Sequence, residues 1–282
     1  MFNSANTLSA GTQGYDNRLM TISSDDANTI ELPRPALRLS FQTREQSTLR
    51  NPAPSVKLAC STCGSRHLCI PIELKADSHE KLNGAFGNTR RVKRGEAIYR
   101  AGDPFRNLYV ARAGSSKTIA VHHDGREQIT GFQITGEYLG LDGIGTDQHT
   151  IDAIALEDSV ICVIPFKELE ALCDGDKILQ HHLHKIMSRE IVRESALLMM
   201  MGNLNAEERV AAFLINLSQR FQERGYSAAE FYLRMTREEI GCYLGLKLET
   251  VSRMFSKLQR QGLIDTHGKQ TKIVDIEKLR QV

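Results

Sequence analysis

The chain lacks any apolar run long enough to cross a bilayer, which excludes a membrane-spanning helix. Its start, MFNSANTLSAGTQGYDNRLM, lacks the basic lead and apolar core of a secretory signal, so a cytoplasmic location is expected. Neither sign of charge dominates. Lys and Arg number 36 against 34 Asp and Glu, and a formal net charge of +2 gives no argument from the total for a nucleic-acid partner. No Ser/His/Asp set, paired-carboxylate pocket or phosphate-binding loop stands out, which argues against an enzyme. The nine histidines form no motif beyond the run His181-His182-x-His184, which reads as solvated.

The remaining composition is that of an ordinary soluble protein, with 41% hydrophobic and 25% charged residues, and 282 residues allow one or two domains with a full core. Residues 1–55 are rich in Ser, Thr, Asn and Gln with no sustained apolar period, and are expected to form a disordered extension. The stretch SHEKLNGAF, residues 78–86, suggests a short helix opened by Ser78. From Arg91 to Pro165, short runs of Val, Ile, Thr, Tyr and Phe alternate with glycines. This pattern predicts an antiparallel β-roll or jelly roll, with Asp124-Gly125 at a hairpin tip.

A long helical segment follows, without Gly or Pro until Gly202. Met187, Ile191, Glu194, Leu198 and Met201 repeat at 4-3-4-3 spacing, the a/d seam of a coiled coil. Leu183, Ile186 and Leu197 form a second stripe suited to the β domain. Two stripes need two partners, so a homodimer is expected in preference to one core helix of a monomer. The carboxylates of two Glu194 residues would meet across such a seam, a repulsion of roughly 3–4 kcal/mol at about 4–6 Å and an effective dielectric near 20. Asn205 and Glu208 then form a capping box before ERVAAFLINLSQRF.

MTREEIGCYLGLKLETVSRMFSKLQRQGLI, residues 235–264, has the form of a helix-turn-helix. Thr236 and Glu239 make a capping box, Gly245 supplies the turn, and Gly262 ends the second helix. THGKQTKIVDI reads as a β-hairpin wing with Gly268-Lys269 near its tip. Six basic residues stand against three acidic ones between Arg234 and Arg260. Glu249, Ser252 and Arg253 share one face at the start of the second helix, where side chains reach base edges, each good contact discriminating by about 1–3 kcal/mol. Thr250, Arg237 and Lys257 complete the set expected at DNA.

Three of the six cysteines, Cys60, Cys63 and Cys69, fall within KLACSTCGSRHLCIP. In a reducing compartment such a cluster points to a metal or redox centre rather than disulfides. A closed site needs a fourth ligand, and Cys162, Cys173 and Cys242 are the candidates. Cys242 falls inside the first helix of the DNA-reading unit as a small packed residue. Cys162 lies on the outer face of the strand SVICVIP, where an N-terminal loop can cover it. Zinc, a [4Fe–4S] cluster and a free-thiol switch all fit the spacing, and it is not one of the common ferredoxin runs.

Together, Cys60, Cys63, Cys69 and Cys162, the phrases LCIP, EQITGF, NAEERVAAF and YLGL, and the helix segment ETVSR resemble oxygen-responsive transcription regulators of the FNR type, within the CRP/FNR family. The likeness runs from about residue 57 to 275. It implies an α+β chain: a cysteine loop at 56–75, a β-roll sensor of the cyclic-nucleotide-binding kind at 76–175, a dimerisation helix at 176–204 and a winged helix-turn-helix at 205–282. It also implies a [4Fe–4S] cluster on those four cysteines, a homodimer on palindromic TTGAT-N4-ATCAA promoter DNA, and contact with RNA polymerase through the hairpin at Asp124-Gly125. No cyclic nucleotide is expected. The Gly136-Glu137 turn is present, but His149-Thr150 stands where the phosphate-binding arginine would be, and an imidazole cannot replace a bidentate guanidinium. The competing expectation is a zinc-stabilised or thiol-switched regulator of the same fold.

Overall fold

A computed structural model describes residues 56–57, 60, 63–64, 66–70, 74, 82, 84 and 87–282. The extension expected at 1–55, and most of the short helix expected at 78–86, lie outside the described residues.

Two antiparallel sheets build the β-roll. One has the order β1 (Val56–Lys57), β2 (Asn88–Val92), β9 (Ser159–Pro165), β4 (Asn107–Ala113), β7 (Tyr138–Leu139). The other runs β3 (Ala97–Tyr99), β8 (Asp152–Ala155), β5 (Ser116–Val121), β6 (Glu127–Gln133). Side chains alternate across a strand, so β4 and β9 serve two cores. Tyr109, Ala111 and Ile161 face the interior of the roll with Val92, Ile98 and Ala153. Leu108, Val110, Cys162 and Ile164 face the opposite way, into a second cluster with Cys60, Ile70 and Leu74. The expected hairpin joins β5 to β6, with Gly125 at φ 86°.

α1 (Arg66–Cys69) belongs to the cysteine loop, and α2 (Phe166–Gly175) follows the roll. α3 is the long helix, Lys177–Asn203, opened by Asp176, whose carboxylate accepts from the Ile178 and Leu179 amides. α4 (Ala206–Gln222) carries the Asn205–Glu208 capping box. α5 (Arg237–Leu244) carries the Thr236–Glu239 box, and α6 spans Leu248–Arg260. Between α5 and α6 the chain turns through Gly245 at φ 65°, and a Cβ on Gly241 would stand 2.5 Å from the Leu246 carbonyl oxygen. Only glycine admits both the left-handed turn and so close an approach. β11 (Ile264–His267) and β12 (Gln270–Ile273) form the wing, joined by β10 (Glu230–Tyr232) in the order β10-β12-β11, and α7 (Ile276–Leu279) closes the unit.

The helix-turn-helix is docked on the roll. Ile119, Ile129, Phe132 and Leu156 share one core with Phe213, Leu217, Ile240 and Leu244. Polar contacts cross the same face: Lys117 to Glu239 at 2.8 Å and Arg234 to Glu157 at 3.0 Å. Cys242, expected as a small packed residue, also works at this junction, its Sγ accepting from the Ile129 amide at 3.2 Å.

Candidate functional site

Cys60, Cys63, Cys69 and Cys162 line one pocket together with Arg66, Ile70, Val110 and Arg112. Successive turns shape the loop that carries the first three. The Cys63 amide donates to the Cys60 carbonyl at 3.1 Å, Arg66 to Cys63 at 3.1 Å and Ile70 to Arg66 at 2.9 Å. The Cys69 carbonyl oxygen ties the loop to the rest of the chain. It accepts from the Tyr138 hydroxyl at 2.8 Å and lies 3.2 Å from His182 Nε2, which must carry the proton to donate there. His182 is thus half-buried against the loop rather than solvated as expected, because the start of α3 packs through Leu179 and Leu183 on the cluster that holds Cys60 and Cys162. His181 and His184 are exposed.

The thiols repel ionisation collectively. Burial, then Cys162, Cys63 and Cys60, push Cys69 up to about 12. Burial and Cys60 push Cys162 up to about 11, against the pull of Arg112. Burial and Cys63 also raise Cys60, against Arg112 and Arg66. Cys60, Cys69 and Cys162, whose ionisation burial and neighbouring thiols oppose, belong to a donor set that a cationic centre would deprotonate. Among the described residues no three His, Cys, Asp or Glu side chains converge closely enough to hold one ion. Of the other candidates, Cys173 is buried in α2 within the apolar cluster and does not line the pocket, and Cys242 lies at the roll junction. Arg66 and Arg112 were not legible as pocket residues. Nothing in sequence marks an isolated arginine on a strand as facing a sulfur site.

On α6, Glu249, Ser252 and Arg253 are exposed side by side, while Val251, Phe255 and Leu258 are buried behind them. Thr250 is half-buried. The Arg237 guanidinium stacks 3.3 Å over the Phe255 ring, and burial lowers it to about 10. Lys257 is engaged with Glu207. On α3, Ile191, Glu194 and Leu198 are exposed, while Met187 and Met201 are half-buried. Met201 Cε lies 3.1 Å from where a Cβ on Gly245 would stand, so it packs toward the turn of its own chain.

In the space where a phosphate-binding arginine was sought, His149 is 2% exposed, stacked on Tyr99 with ring centroids 3.7 Å apart. Asp142 lies 3.5 Å from its Nδ1 and accepts from the Thr150 amide at 2.7 Å. Among the described residues no helix is long and apolar enough to cross a membrane.

A β-roll leading through one long helix into a winged helix-turn-helix, with an exposed polar row at the start of the second helix, defines a class of DNA-binding transcription regulator. Comparison with known proteins gives the family. Residues 89–176 match the cyclic nucleotide-binding domain and residues 208–282 the Crp-like helix-turn-helix domain. The chain is 44% identical over 223 residues to the transcriptional regulatory protein Btr of Bordetella pertussis, covering 79% of this chain and 92% of the relative. It is 41% identical to the transcriptional activator protein Anr of Pseudomonas aeruginosa, covering 77% and 88%. Identity to the fumarate and nitrate reduction regulatory protein of Escherichia coli is 38%, covering 79% and 89%. The solved structure of FixK2 from Bradyrhizobium japonicum aligns with a TM-score of 0.64 at 29% identity, covering 68% and 95%. The chain belongs to the CRP/FNR family of transcription regulators, on the FNR/Anr side of it, whose members bind DNA and dimerise.

Proposed function

We propose that this regulator senses oxygen through a [4Fe–4S] cluster held by Cys60, Cys63, Cys69 and Cys162, and binds palindromic TTGAT-N4-ATCAA promoter DNA as a homodimer in anaerobic cells. The observation that carries the reading is the single pocket that joins three thiols of the loop to one thiol of β9, with Arg66 and Arg112 at its wall to offset thiolate charge. A polynuclear centre is preferred to zinc because the chain offers one Cys-x2-Cys pair, Cys60 and Cys63, where closed zinc sites commonly use two. The cluster supplies an oxygen-labile bond set whose loss returns four free thiols.

The rest is the work of the chain. The Cys69 carbonyl anchors the loop to β7 through Tyr138 and to α3 through His182, so loop position and helix position are linked. Ile191 and Leu198 then meet their copies across a two-fold axis, against the repulsion of paired Glu194 carboxylates. Closure sets two α6 helices for adjacent major grooves, where Arg253 donates to guanine, Glu249 accepts from cytosine and Ser252 contacts a base or phosphate. Thr250 flanks this row. The exposed hairpin at Asp124-Gly125 is the surface offered to RNA polymerase. Cyclic nucleotides play no part, since the buried His149–Tyr99 stack occupies the pocket region without a guanidinium.

The test is anaerobic purification. Brown protein with iron and sulfide in cubane proportion, bleached by air, is expected, and Cys162→Ser should abolish both colour and promoter binding. Colourless protein with stoichiometric zinc overturns the reading.

A further inference from the structure

We propose that Glu137 is a positioning residue that couples the cysteine loop to the docking of the DNA-binding unit, an inference that rests on the loop being the sensor.

The loop touches the roll at the turn before Glu137. Leu68 precedes Cys69, and a Cβ on Gly136 would stand 2.6 Å from Leu68 Cδ1 and 2.8 Å from Leu68 Cβ. Leu68 therefore rests directly on the Gly136 backbone. Gly136 has φ 84°, and its amide donates to the Ala111 carbonyl at 2.7 Å, on β4 next to Arg112 of the thiol pocket. The turn is fixed on itself by the Ile134 amide, which donates to Glu137 Oε2 at 3.0 Å.

Glu137 is 7% exposed, and its carboxylate gathers guanidinium groups from two other parts of the chain. Arg220 of α4 donates through Nε to Oε1 at 2.9 Å, and through Nη2 to Oε2. Arg224, just beyond α4, donates to Oε1 at 2.8 Å and through Nε to the Thr135 carbonyl. Arg193 of α3 stands 3.5 Å from Oε1 and pairs with Glu190 at 3.1 Å. Glu223 lies 3.8 Å from Arg224 on the outer side. One buried carboxylate thus joins the dimer helix, the helix that begins the DNA-binding unit, and a turn lying under the sensor loop. Removing one member of a buried charged set leaves the others uncompensated, so a displaced turn releases all three contacts together.

The test uses the full chain. The Ile129 amide reports docking because it donates to Cys242 across the junction. Its hydrogen exchange is measured in cluster-free protein, where no metal is needed. Glu137→Gln, isosteric but uncharged, is expected to speed that exchange about tenfold or more, and Leu68→Ala to speed it severalfold. Glu137→Asp, shorter but charged, is expected to stay nearer the parent than Glu137→Gln, whereas a space-filling role reverses that order. Arg224→Gln leaves Glu137 paired with Arg220 and so tests the same clamp from its other side, with at least threefold faster exchange expected. Exchange within twofold of the parent in Leu68→Ala, or faster exchange in Glu137→Asp than in Glu137→Gln, overturns the proposal. A parent chain that binds no iron sinks the sensing function and leaves these exchange results to decide the coupling separately.

Discussion

Two helices of this chain treat their apolar residues in opposite ways. The 13-residue α6 buries Val251, Phe255 and Leu258 on one side and leaves a polar row outside. The 27-residue α3 fully buries only Leu179, while Ile191, Val192, Leu198 and Met199 stand 63–71% exposed. A helix finished within its own chain can spend its outer face on a ligand. One left with an open apolar stripe is half of a contact, and closing it would contribute on the order of 1.5–3 kcal/mol per fully covered side chain. The DNA reader is complete in one copy; the means of pairing two readers is not.

That contrast can be broken most forcefully at Phe255. Phe255→Ala removes the centre of the α6 face and the ring under Arg237, and a loss of about 3–5 kcal/mol is expected in denaturant unfolding of the monomer. At Leu198 the same measurement should move by less than about 0.5 kcal/mol. Leu198→Glu should instead weaken dimerisation by about 3 kcal/mol, seen by sedimentation, because like charges then face each other across the seam. If Leu198→Glu destabilises the monomer as Phe255→Ala does, the two helices are not different in kind. Glu194→Ala should act oppositely and tighten the cluster-free dimer by up to roughly 3–4 kcal/mol, leaving DNA binding less dependent on the cysteines. Arg253→Ala should cost about 1–3 kcal/mol at one base pair, with unfolding unchanged, in binding assays on a set of single-base variants. The smallest effect is expected at Lys257. Its pair with Glu207 is partly exposed, and Lys257→Ala should lower stability by under about 1 kcal/mol.

Acid provides a further contrast between buried and exposed charge. Burial opposes ionisation of Glu137, but Arg220, Arg193 and Arg224 outweigh it and hold the group down at about 2, below its ordinary 4.5. Its stabilisation is therefore complete above pH 4.5 and is lost as pH falls toward 2. Acid titration of Glu137→Gln should lack that component, while Lys257→Ala should keep it.

Much of the architecture could be read locally. Both capping boxes, the Gly245 turn, the wing and the β5–β6 hairpin depend on residues within a few positions of one another, and each lies where expected. Cys162 was placed on the outer face of its strand by period-two alternation, and it faces away from Ile161 as that rule requires. The errors came from long-range packing. His182 looked solvated because nothing nearby needed a donor, yet its partner lies 113 residues earlier at Cys69. Arg237 and Lys257 were read from charge alone, and the Phe255 ring and the Glu207 carboxylate that they meet in the folded chain were not legible.

From the sequence alone came the elements, their caps and turns, the polar row of α6, and three clustered sulfurs, because propensity, period and spacing act over short distances; the fourth sulfur, Cys162, joined them through the family resemblance. Tertiary structure alone decided that the four sulfurs share a pocket with two arginines, that α5 docks on β6, and that Glu137 collects Arg193, Arg220 and Arg224. Those contacts depend on where a chain of many elements returns to meet itself. A lone arginine or glutamate carries no local mark of the partner it will find there.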